Sequence, residues 1–116
     1  MKPFDFTTYL QHKIKPTVLN RAIFITRNSE QVSKILQSVP TKSTEYEIKI
    51  CACFIIQNYK NAMPIYLRWR KVFGPMAAMN FARNIAPNWK DPVNEFWDAR
   101  MEYAKQIYGN YAVNTK

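Results

Sequence analysis

Seven cations stand between Glu47 and Asp91 with no carboxylate among them: Lys49, Lys60, Arg68, Arg70, Lys71, Arg83 and Lys90. The chemistry open to such a set is phosphate neutralisation, which gives sequence-independent binding that weakens with salt. Arg68 and Lys71, one helical turn apart, are expected opposite Ile65, Trp69 and Phe73, with Arg70 at the flank. Residues 1–90 hold fourteen bases against four acids, while residues 91–116 hold three bases against four acids. A basic body with a locally acidic tail directs attention to a polyanionic partner, nucleic acid (DNA or RNA) first. Solvation of an ordinary helix face by Lys and Arg accounts for the same residues, so the pattern gives a direction and not a motif.

Asn80, Arg83 and Asn84 follow at i, i+3 and i+4, a spacing that projects all three from one helix face. Arg suits guanine edges and Asn suits adenine edges, so the residue types match base readout. They sit after the break at Gly74-Pro75, where one short helix gives way to another, as in a helix-turn-helix. The usual small-residue and glycine spacing of that motif is missing, and a helical corner facing water is the plainer reading.

Seventeen aromatic residues offer a different chemistry, stacking on unpaired bases or gripping a protein. Most fall on inward stripes. Tyr66 and Trp89 are the two candidates for partner contact, Trp89 because it lies in a proline-bounded connection beside Lys90. Asp91, Glu95, Asp98 and Glu102 recur at spacings of 4, 3 and 4 on a last helix. No His or Cys accompanies them, so an exposed face, or pairing with the basic body within or between molecules, is expected before a metal site. The chain has one histidine, His12, and two glycines, which leaves no dinucleotide fingerprint, P-loop or nucleophile elbow. No catalytic set, metal site or cofactor is expected.

The elements that would position these residues read as helices. Two glycines against seven prolines argue against a sandwich or barrel, which needs many turns with positive φ. Asp5 can cap a helix through Phe6, Tyr9 and Leu10 that stops before Pro16. Thr44 and Glu47 have the form of a capping box, ahead of a segment from Ile48 to Tyr59 that is apolar on nearly every side and must be surrounded by protein. Pro64 reads as the start of a helix with Ile65, Tyr66, Trp69, Val72 and Phe73 inward, and Pro75 as the start of one with Met76, Ala77, Met79, Phe81 and Ile85. Asp91-Pro92 opens the last helix, which Gly109 ends.

The expected architecture is therefore all-α: a compact single-domain orthogonal bundle of about five to seven short helices around a buried central helix. It spans 1–111, with 112–116 as a frayed tail. The competing arrangement is α+β, with short strands near 21–26 and 48–56, where β-branched and apolar runs cannot be told from helix by period. Cys51 and Cys53 read as buried thiols in a chain from a reducing intracellular compartment, cytoplasm or organelle matrix. The longest apolar run, Ile50 to Ile56, is far short of a membrane span.

The functional expectation is a small basic binding protein without enzymatic activity, taking nucleic acid through Lys60, Arg68, Arg70, Lys71, Asn80, Arg83, Asn84 and Lys90. The rival is a protein–protein interaction module, an accessory subunit or a small phage-type inhibitor that docks on a host complex, in which Tyr66 and Trp89 matter most. An acidic protein surface and an anionic membrane surface are further polyanions to test, and the acidic last helix offers a route to a homodimer.

Overall fold

Asp5 starts the first helix by capping it. Its Oδ1 accepts from the amides of Thr7 and Thr8 at 3.0 and 3.3 Å, and its Oδ2 accepts from the Thr8 hydroxyl. The structure, a computed structural model, describes residues 5–85, which form six helices and no strand. They are α1 (Phe6–Leu10), α2 (Pro16–Asn28), α3 (Val32–Gln37), α4 (Ser43–Ile55), α5 (Tyr59–Phe73) and α6 (Pro75–Ile85). The expected helix from Asp91, its acidic row and the tail lie outside the described residues.

Both segments that could have been strands are helical. In α2 the spacing of Val18, Leu19 and Ala22 prevails, because these three bury one stripe while Ile23 and Ile25 fill its edges. Phe24 lies off this stripe and is 66% exposed. Pro16 occupies the first turn, where its missing amide has no partner to lose.

The segment 48–56 lies in and just beyond α4, which is the centre of the fold. Tyr46, Ile48, Ile50, Cys51, Ala52, Cys53 and Phe54 are all buried, covering the helix on nearly every side. α4 packs against α2 and α5, α6 packs against α5, and α1 rests on α4 and α2. Phe6 stacks on Phe54 at 5.7 Å between ring centroids, tying α1 to α4. A second aromatic line runs from Tyr46 on α4 to Trp69 on α5 at 5.9 Å, and from Trp69 to Phe81 on α6 at 5.3 Å. Burial of each such ring contributes on the order of 2–3 kcal/mol. Removal of Trp69 would therefore unseat three helices at once.

The start of α4 differs from the expected box. The helix begins at Ser43, one residue before Thr44, and Lys42 holds the cap position with no side-chain bond. Glu45 reaches back past it, and its carboxylate accepts from the Thr41 amide at 2.9 Å and the Thr41 hydroxyl at 3.2 Å. Only the backward reach of a carboxylate is present, made by Glu45 and not Glu47, and no side chain caps a helix amide in return.

Pro64 likewise does not open α5 but lies inside it, the sixth residue of the helix. The lost bond is the one to the carbonyl of Lys60, an exposed residue near the helix start where water is at hand. α5 stops at Gly74, whose φ of 92° and ψ of 160° lie in a region essentially reserved for glycine. Pro75 then begins α6 directly.

Candidate polyanion-binding face

Ala62, Ile65, Tyr66 and Trp69 turn one side of α5 into the core. The opposite side is thereby fixed. Lys60, Arg68 and Lys71 fall within an arc of about 80° around the axis and are all exposed. Among the described residues, none of the three makes an ion pair or a hydrogen bond. Arg70 is turned about 100° from Lys71, is half-buried and interacts with neighbouring groups, so it belongs to the flank and not to the face.

On the adjoining α6, burial of Ala78, Phe81, Ala82 and Ile85 sends Asn80, Arg83 and Asn84 outward together, all exposed. Lys49, the remaining described cation of the acid-free stretch, is not available to a partner. It is 7% exposed, and its Nζ donates to the carbonyl and the hydroxyl of Ser38, each at 2.6 Å. Burial holds this ammonium below the usual lysine range against the opposing pull of Glu45. Lys90 and Trp89 lie outside the described residues.

Tyr66 is a correction. It is fully buried on the inward stripe of α5, between Ile65 and Trp69 in the helix's packing against α4 and α6, and cannot touch a partner. The surface residues that replace it are ones whose spacing reads as core. Val72, Phe73 and Met76 are exposed, Val72 by 60% and Met76 by 70%. Phe73, 43% exposed, still meets the buried Tyr46 ring edge-on at 5.9 Å. Leu67, 45% exposed, flanks the cations of α5. An open depression of about 450 Å3 on this face is lined by Pro64, Leu67, Arg68, Lys71 and Val72. The face is thus cationic with an apolar floor.

Of the four described acids, Glu30 is exposed in the connection between α2 and α3, and the other three lie on or beside α1 and α4. Asp5 caps α1, and its carboxyl is held below the usual range chiefly by the Thr8 hydroxyl. Glu45 clasps Thr41, whose amide likewise lowers its carboxyl. Glu47 is half-buried on α4, where desolvation pushes its carboxyl up against the opposing charge of Lys15. Cys51 and Cys53 are buried free thiols. Burial raises both, Cys53 to about 12, so neither is a thiolate nucleophile near neutrality. Among the described residues no three of His, Cys, Asp and Glu gather as a metal site, and no helix is long and apolar enough to cross a membrane.

One surface escaped the sequence reading. The outward stripe of α2 is Thr17, Asn20, Arg21, Phe24, Arg27 and Asn28, all exposed. A second acid-free run, residues 6–29, was the available signal. Its bases are few enough to pass as the scattered cations of any N-terminal segment.

Comparison with known proteins brings no relative to this face: no protein-family model, curated protein or solved structure matches the chain.

Proposed function

We propose that the protein is a non-enzymatic binding protein for a polyanion, nucleic acid first, which it meets through the outward side of α5 and the exposed face of α6. The observation that carries this reading is the set Lys60, Arg68 and Lys71, exposed on one side of α5 without a partnering carboxylate among the described residues, with Arg83 exposed on the next helix. Phosphates along a strand present the matching charge, and their contacts release condensed counterions. Asn80 and Asn84 beside Arg83 add side chains able to bond base edges.

Affinity should accordingly be governed by salt. Three or four phosphate contacts imply a loss of roughly 40- to 150-fold in duplex affinity between about 50 and 200 mM salt. Fluorescence anisotropy with a labelled duplex tests this, and a flat response removes the reading.

Leu67 and Val72, which flank the cations in the same depression, favour a second reading in which the occupant is a protein segment with acidic and apolar side chains. Replacing Leu67 and Val72 by Ser separates the two. Binding to a polyphosphate strand should survive that change, whereas docking of a protein segment should not. With the thiols unpaired and buried, a reducing compartment inside the cell is the setting in which either partner would be met.

A further inference from the structure

The side of the molecule formed by α2 carries a combination that bulk electrostatics does not require. Phe24 is 66% exposed at the middle of a helix, with Arg21 one turn before it and Arg27 one turn after. Asn20 is exposed beside Arg21, while the Asn28 amide is spent on the Phe24 carbonyl at 3.2 Å. A large apolar ring exposed on a helix, with an arginine one turn before it and one turn after it in sequence, is poor helix surface and a good stacking platform, since every base has a π-face.

Between α2 and the start of α4 lies a cleft of about 390 Å3 lined by Thr17, Arg21, Lys42 and Thr44, with Glu45 also on its wall. The Glu45 carboxylate accepts from Thr41 and offsets part of the charge of Lys42, so the cleft keeps a net positive charge, centred on Arg21, with two hydroxyls beside it. Arg21 also lines a neighbouring cleft of about 230 Å3 and is the one residue common to the clefts and the exposed stripe. Arg21 and Phe24 are separated by about 4.5 Å along the helix axis. That places a phosphate-binding cleft one turn from a base-stacking ring.

We infer that α2 and the α2–α4 cleft form a subsite for an unpaired nucleotide of a nucleic-acid strand, with the base on Phe24 and its phosphate at Arg21 and Lys42. The inference rests on the polyanion reading above and adds a preference for single strands, because a ring on a convex helix face reaches a base only when that base is out of the duplex stack.

Anisotropy with labelled oligonucleotides of about twelve nucleotides, ribo- and deoxyribo-, single-stranded and as duplexes, tests it on the full chain. Phe24→Ala should lower single-strand affinity by about 5- to 100-fold with duplex affinity unchanged, and Phe24→Tyr should retain single-strand binding. Arg21→Gln should reduce the single-strand salt slope by about 0.7. The tighter of the ribo and deoxyribo arms identifies the strand. Unchanged single-strand affinity in Phe24→Ala, or equal losses on strand and duplex, overturns the subsite while leaving the α5 face standing. Wild-type protein that binds no oligonucleotide overturns both. Because Phe24 is exposed, its variants should unfold at the wild-type temperature, which circular dichroism verifies.

Discussion

The phenol of Tyr9 donates a hydrogen bond of 2.7 Å to the main-chain carbonyl of Ile85, joining the first helix to the last residue of the sixth. Both residues are buried, so the bond closes the described fold across almost its full length.

Tyr9→Phe removes the donor and leaves a buried carbonyl to find another. Stability should fall by about 1–2 kcal/mol, read as a lower urea midpoint at constant slope. Polyanion affinity should be unaffected, since the bond lies in the core and not on the α5 face. An unchanged midpoint would show that the carbonyl is otherwise satisfied.

Gly74→Ala probes the corner between α5 and α6. Among the described residues, apart from those adjoining Gly74, no atom lies within 4 Å of where the new methyl would sit, so the cost comes from the backbone at φ +92°. That conformation should cost an alanine about 1–3 kcal/mol. A thermal midpoint equal to wild type would mean that the corner relaxes to an ordinary conformation.

Glu47 gives a pH dependence with a definite sign. Its folded carboxyl is raised by burial above the ordinary glutamate range, so the folded chain holds this proton more tightly than the unfolded chain does. The stability so contributed is complete below that range and is lost as pH rises through the folded pKa. Glu47→Gln should therefore gain on wild type between about pH 4 and pH 7. Thermal midpoints of the two proteins at both pH values check this, and a difference independent of pH would contradict it.

The buried thiols give a chemical test of the central helix. Cys51 and Cys53 should be inert to a disulfide reagent near neutrality in the native protein and react fully in guanidinium. Native reaction at the rate of an exposed thiol would show that α4 is not enclosed.

How far the sequence could be read depended on whether a signal was local. The Asp5 cap is local, and so is the burial of Ile50 to Phe54, because a helix apolar all round has no other home. The run Ile23 to Thr26 had to be settled by packing, as β-branched residues fit a strand or a helix edge equally. Pro64 misled because proline marks helix starts, yet it also tolerates the second turn when its orphaned carbonyl is near water. The exposure of Arg68 and Lys71 followed from the inward stripe opposite them. Val72 and Met76 read as core because they are apolar, yet both lie off the buried stripes of α5 and α6 and are exposed. Arg21 acquired its neighbours from α4, a contact that no spacing within α2 encodes.

The central claim is that Lys60, Arg68 and Lys71 act as one outward phosphate-binding set. The most direct measurement is the salt dependence of duplex affinity for wild type and for the double variant Arg68→Gln/Lys71→Gln. Removal of two contacts should flatten the slope of log affinity against log salt by about 1.8, with unfolding unchanged. Identical slopes for the two proteins would contradict the account.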